Sequence, residues 1–270
     1  VAVPPIIVPA PVSTPARGGL QSAADLVPES GRIASGVAWE PAPCGPAHID
    51  PARCGDTPTA RELVDGIGLD TAAPIVVYGG FTCRAVGLTE QQMLARATAS
   101  LSTEWAAVES AVWSSTALRL MSTTSGEATT VLAPDPVSLS TGVGLLEAFL
   151  GAHYGGIGVL HAPRAVAAHA ATAQLVTTES GRLTTVLGNR WAFGAGYPGT
   201  GPDGSAPEAG STWLVVTGAV NYRRTPITYR PATMAQALNR ADNSIRSLAE
   251  RTYVVAWDDC VRAAVPVTLT

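Results

Sequence analysis

Apolar and polar positions alternate with two different periods along this chain, and the changes of period mark its elements. Residues 73–85 (APIVVYGGFTCRA) and 31–39 read as extended, while residues 44–70 between them are rich in Pro, Gly and Asp. A helical period then begins at Thr89. Gln92 stands three residues on in the capping-box position, and Met93, Ala97, Leu101, Trp105, Val108 and Val112 follow at spacings of three and four. The spacing predicts one helix over 89–115, roughly 37 Å long at 1.5 Å per residue. Its stripe nominates Met93, Leu101, Trp105, Val108 and Val112 as core or interface residues.

A second helix is predicted over 138–153, with Val143, Leu146, Phe149 and Leu150 on one side and Gly155 and Gly156 as its stop. A strand at 157–161 follows, and Pro163 opens an alanine-rich helix over 164–175. Strands are predicted at 183–187, 190–194, 212–216 and 227–230, separated by Gly, Pro and Asn. A short helix at 234–241 and two long strands, 245–257 and 261–269, close the chain. The order lacks the regular strand-helix alternation of a doubly wound enzyme, so the fold class is α+β. The first twelve residues, VAVPPIIVPAPV, are apolar and proline-rich without the basic start of a signal peptide, and read as an extended arm.

Composition narrows the chemistry. The chain has 270 residues, a formal net charge of -4 and only 14% charged residues, which argues against a general nucleic-acid reader. Its 17 basic residues are all arginine, and the absence of lysine excludes a Schiff base, a P-loop lysine and a lysine-to-asparagine cross-link. No run of 18 apolar residues suggests a membrane span. Among the four cysteines no C-x-x-C pair points to metal. Cys44 and Cys54 are close enough in sequence to be a candidate disulfide, which only geometry can decide.

The remaining motifs favour structural readings. Gly199, Gly201 and Gly204 satisfy G-x-G-x-x-G, but Pro198, Pro202 and Pro207 block a following helix, so a turn is expected rather than a phosphate cradle. His153, His161 and His169 recur every eight residues on a helix end, a strand end and a helix, which is not one face. Glu104 and Glu109 are five apart and point in different directions. Asp258 and Asp259 fit a turn between the closing strands. No catalytic, cofactor-binding or metal-ligating residue is nominated, and no enzyme activity is expected.

Taken in order, these segments resemble the HK97-fold major capsid proteins of tailed bacteriophages, particularly those of phages infecting high-GC actinobacteria. GVLHAPRAVAAHAA is similar to the strand and helix of the axial domain, VLGNRWAFGAGYPGTGPDG to the segment that follows, and IRSLAERTYVVAWDDCVRAAVPVTLT to the closing strands. The resemblance implies an N-terminal arm (1–30), an extended loop or E-loop (31–86), a peripheral domain (87–137 and 221–270) with the spine helix 89–115, and an axial domain (138–220). It further implies a virion protein that assembles in the host cytoplasm as hexamers and pentamers around double-stranded DNA. Partners would be its own copies, a portal, and decoration or scaffolding proteins, with no cofactor and no membrane. The missing lysine departs from the type member, whose covalent cross-linking cannot operate here. Two alternatives stand beside this reading: an encapsulin-like compartment of the same fold, and a Ser/His hydrolase.

Overall fold

Three discontinuous segments of the chain build one central sheet, and the closing strands hold it to a second. The computed structural model describes residues 16–29, 32–41, 68–84, 87–114, 120–124, 128–258 and 261–269. The N-terminal part has a helical turn α1 (Leu20–Ala23), β1 (Asp25–Pro28), β2 (Val37–Trp39), β3 (Asp70–Ala72) and β4 (Ile75–Arg84). Helices α2 (Glu90–Ala99) and α3 (Glu104–Ser114) follow, then β5 (Thr130–Val131), β6 (Val137–Ser138) and α4 (Leu139–His153). The middle comprises β7 (Val159–Pro163), α5 (Val166–Thr172), β8 (Thr177–Glu179), β9 (Arg182–Thr184), β10 (Arg190–Gly194) and β11 (Ser211–Thr217). The chain ends through β12 (Asn221–Arg224), β13 (Thr228–Arg230), α6 (Met234–Ala237), β14 (Leu238–Asn239), β15 (Ser244–Ala256) and β16 (Arg262–Thr268). The α+β class holds.

An eight-stranded sheet runs β5-β16-β11-β7-β10-β9-β8, with β6 also on β16; a six-stranded sheet is built around β15; and β2 pairs β3 separately. The central strands β7, β10, β11 and β16 of the eight-stranded sheet are buried on both faces, which is why they read as nearly continuous apolar runs. Leu160, Ala162, Trp191, Phe193, Leu214, Val216, Ala263 and Val265 meet α4 and α5 on one side. Val159, Ala192, Val215 and Ala264 meet α1, α3 and the six-stranded sheet on the other.

The predicted single helix over 89–115 is instead two. Thr89 does cap α2, its Oγ1 accepting from the Gln92 amide at 3.3 Å while Gln92 Oε1 accepts from the Thr89 amide at 3.0 Å. Thr98 and Ser100 then turn their hydroxyls onto the carbonyls of Leu94 and Ala97, at 3.0 and 2.6 Å, a competition that loosens the helical ladder. The amides of Leu101, Ser102 and Glu104 shift to partners three residues back. The Ser100 carbonyl leans on β4 at Gly79, where a Cβ would stand 2.5 Å from its oxygen. The break therefore wraps the helix pair around the sheet and keeps the apolar stripe facing inward.

Smaller differences go both ways: a strand partner takes backbone groups that local pattern assigned to a helix at Pro163 and at 238–239, and turns replace expected strand at 186–187 and 32–35. Pro163 ends β7 opposite Gly194 rather than opening a helix, and α5 spans only Val166–Thr172. The strand expected at 183–187 stops at Thr184, leaving Val186 and Leu187 on a turn at 73% and 74% exposure. Residues 238–239, expected to be helical, pair with β15. Residues 32–35 form a 3-10 turn before β2. The arm 1–15, Asp259 and the candidate Cys44 and Cys54 pair lie outside the described residues.

Candidate functional site

β15 carries partners along both edges. β12, β13 and β14 share one edge, and β4 runs the length of the other from Ser244↔Arg84 to Tyr253↔Ile75. Period-two alternation sends Ile245, Ala249 and Tyr253 inward. Met93 packs with Ile245 and Ala237, and Ala97 and Leu101 pack with Ala249. The outward face places Val76 beside Thr252 and Tyr78 beside Glu250. Its far end is roofed by Ile33, Val37, Trp39 and Ala72 over Val254 and Ala256. The near end is open, with Val76 at 56% and Tyr78 at 71% exposure. Among the described residues β4 is an edge strand, and a ten-residue edge is a surface suited to pairing or packing with another chain.

β2 and β3 pair antiparallel, and Trp39 faces Asp70. The Trp39 indole N–H donates to Asp258 Oδ1 at 3.0 Å, which fastens this strand pair to the end of β15.

The N-terminal segment enters the layer between the sheets. Leu20, Ala23 and Ala24 are buried beside Val108, Val112 and Trp113 of α3, and β1 adds to β12 in parallel. Asp25 accepts from Arg190 at 2.9 Å and from Arg182 at 3.2 Å. Glu109, 4% exposed, accepts from the Leu20 amide at 2.9 Å and the Gly196 amide at 3.1 Å. Burial pushes its pKa above the ordinary carboxylate value, against the opposing pull of those amides. Glu104 turns away as expected, pairing with Arg251 at 2.6 Å.

The nominated stripe residues Met93, Leu101, Val108 and Val112 are interior to this chain, whereas Trp105 is half-buried. Trp113, outside that stripe but read with Trp105 from the sequence as a core or interface anchor, is fully buried: its indole donates to Thr200 at 3.2 Å and its ring lies 5.0 Å from that of Tyr197. The signal for Trp113 was its place one residue after Val112, on the flank of the same stripe. Nothing in the local pattern marked Glu109 as interior.

The histidines are not brought together. His153 Nδ1 lies 2.9 Å from the Phe149 carbonyl at the end of α4, and His169 is exposed on α5. His161 is wholly buried, with Tyr197 Oη at 2.9 Å and Thr217 Oγ1 at 3.0 Å on its two nitrogens. Burial lowers its pKa to about 3, so it stays neutral. The glycine motif forms a turn in which Asp203 accepts from the Ser205 amide at 3.0 Å. Among the described residues, no cluster of three or more His, Cys, Asp or Glu side chains is placed to hold a metal, and no helix is long and apolar enough to cross a membrane.

No family model and no curated protein matches the sequence. The fold does have solved counterparts over its whole length. The holo-SrpI encapsulin complex of Synechococcus elongatus PCC 7942 matches with a TM-score of 0.58 at 12% identity, covering 100% of this chain and 94% of that one. The capsid of an empty GTA particle matches with a TM-score of 0.56 at 12% identity, covering 99% and 95%. A structure from Mycobacterium phage Ogopogo matches with a TM-score of 0.53 at 14% identity, covering 98% and 97%. The chain therefore has the HK97-like fold of capsid and encapsulin shells.

Proposed function

We propose that this chain is the major capsid protein of a tailed bacteriophage, assembling as hexamers and pentamers into an icosahedral shell that encloses the genome. The observation that carries the proposal is the end-to-end likeness to shell subunits, phage and GTA capsids among them. The open outward face of β4 and β15 supports it, since exposed Val76 and Tyr78 on an edge strand suit a surface covered by another copy. In this reading 1–30 is the arm, 31–86 the E-loop, 87–137 with 221–270 the peripheral domain and 138–220 the axial domain. β16 pairs with β11, so the two domains share the eight-stranded sheet. The partners are other copies, a portal, decoration or scaffolding proteins and packaged double-stranded DNA; the location is the virion, after assembly in the host cytoplasm. The protein acts by assembly and not by catalysis: His161, the histidine held by two side chains, is neutral and sealed from solvent.

Light scattering and negative-stain microscopy of the expressed chain test the proposal. Uniform particles of megadalton mass support a shell, and a stable species near 28 kDa, expressed with its own scaffolding and portal proteins, refutes it. An encapsulin-like compartment is the second reading, favoured by the SrpI likeness. Particles from infected cells separate the two: nuclease-protected DNA supports the phage shell, and a single co-purifying enzyme supports the compartment.

A further inference from the structure

We propose that the free edge of β4 receives an extended acidic segment of a different protein, which adds to the six-stranded sheet as a strand and sets a pair of carboxylates against Arg84 and Arg246. β4 borders β15 on one side, and among the described residues no strand pairs with its other side. Every second residue of β4 therefore directs an N–H and a C=O away from the sheet. Exposed edges are ordinarily guarded by charge, proline or a bulge. Here the residues before Arg84, IVVYGGFTC, contain neither charge nor proline, and the register with β15 runs unbroken from Ile75 to Arg84. Such an edge is open to a further strand over roughly 34 Å.

The side chains at one end of this edge specify charge. Arg84 stands opposite Ser244 and Arg246 opposite Thr82, so the two arginines are diagonal neighbours on the outward face, about 7–8 Å apart. Both are exposed, and like charges so placed repel. Arg240, also exposed, lies in the turn that leads into β15. The acids around them are already engaged. Asp242 accepts from the Ser244 amide at 2.9 Å, Glu250 pairs with Arg230, and Glu90 accepts from the Met234 amide at 2.8 Å. Among the described residues, none of the guanidiniums of Arg84, Arg240 and Arg246 has an acidic partner. A strand laid beside β4 turns alternate side chains to this face, so carboxylates two residues apart would stand beside Thr82 and Arg84, within reach of both Arg84 and Arg246. Toward the other end the same strand would meet exposed Tyr78 and Val76, which ask for apolar residues. These 270 residues supply no such segment, because nowhere among them do two acidic residues stand two apart. The occupant is accordingly another protein. Pairing of this kind takes the edge of the sheet rather than its face, and the inference does not depend on the shell reading.

Fluorescence anisotropy with the full chain tests it, the probes being a labelled peptide Glu-Thr-Asp-Thr-Thr-Thr-Val-Thr-Val and its reversed sequence, which cover antiparallel and parallel pairing. A control peptide carries Lys at both acidic positions. Saturable binding is expected for one of the acidic peptides, weakening as salt rises, and none for the control. Arg84→Ser and Arg246→Ser should each weaken binding by up to about fivefold, and the double variant should lose more. Arg96→Ser, on the α2 side of the sheet near Cys83, should leave it unchanged. Amide hydrogen exchange should slow at alternate residues of β4 when the peptide is added, while Val215 inside β11 is unaffected. Failure of both acidic peptides to bind, equal affinity for the control, indifference to Arg84→Ser and Arg246→Ser, or protection absent from β4 would each overturn the proposal. So would β4 amides that become protected with rising protein concentration and no peptide, which would give the edge to a second copy.

Discussion

Replacing Trp113 by alanine probes whether the layer between the two sheets carries the stability of the subunit. The side chain is 0% exposed, and its ring packs at 43° to Tyr197 with centroids 5.0 Å apart. An aromatic of this size buries roughly 200 Å², which at about 25 cal/mol per Å² corresponds to about 5 kcal/mol as an upper bound. Measured Trp-to-Ala costs of roughly 3–5 kcal/mol agree with that bound once partial collapse of the cavity is allowed. The bond to Thr200 adds about 1 kcal/mol, part of which water recovers at the nearby surface. A loss of about 4 kcal/mol is therefore expected for Trp113→Ala, and roughly 1–2 kcal/mol for Trp113→Phe, which keeps one ring. Trp105→Ala should cost about 1 kcal/mol in the dissociated subunit, because Trp105 is only half-buried and its buried indole N–H has no partner among the described residues. Guanidinium unfolding followed by far-ultraviolet circular dichroism reads all three without relying on tryptophan fluorescence. Equal losses for Trp105→Ala and Trp113→Ala would refute the assignment of the anchor.

Further consequences are separately measurable. His161, with its folded pKa near 3, binds a proton less readily folded than unfolded, so its share of stability is complete above pH 6.5 and is lost as pH falls toward 3. The loss is about 1.4 kcal/mol for each pH unit, and a denaturation series in acid should show one proton less uptake on unfolding in His161→Gln than in the parent. Arg251→Ala leaves Glu104 unpaired in a half-buried site and should cost about 2–4 kcal/mol, part of which the double variant Glu104→Leu, Arg251→Met recovers in a thermodynamic cycle. Deleting residues 1–15 should leave the circular dichroism melt unchanged but impair particle formation. Deleting residues 1–29 removes Leu20, Ala23, Ala24 and β1 and should abolish cooperative folding.

The elements legible in the sequence are those whose physics is local. The Thr89 and Gln92 capping box, the Ser138 cap of α4 and the long alternation of β4 and β15 need only neighbouring residues, and each lies within a residue or two of its expected place. What was not legible depended on distant partners. Nothing around residue 100 showed that Gly79 would receive the Ser100 carbonyl, and nothing around Pro163 showed that Gly194 would pair with it. Glu109 followed the same rule. On the helix it reads as a solvated acid, and only the return of Leu20 from ninety residues upstream makes it interior. The outward face of β4 was also obscure, since exposed and buried positions alternate there with similar apolar residues on both sides, as Ile75, Val76 and Val77 illustrate.

This division explains how a chain sharing 10–14% of its residues with solved shells can share their fold. The two-sided burial of β7, β10, β11 and β16 asks of each of these strands mainly that it be apolar and of suitable volume, a demand that many sequences meet. β11 illustrates the point: Leu214 and Val216 face α4 while Val215 faces α3, and exchanges among Val, Ile and Leu would alter packing without altering topology. The polar residues inside the same layers have no such freedom, because each satisfies particular groups. Asn189 accepts from the Gly158 amide at 2.7 Å, Thr217 meets His161, and Glu109 holds two amides. Substituting any of them leaves a buried donor or acceptor unmet, at about 1–3 kcal/mol each. The apolar pattern thus accounts for the architecture, while a few interior polar contacts tie together segments far apart in the chain, as Glu109 does with Leu20 and Gly196 and Arg251 does with Glu104.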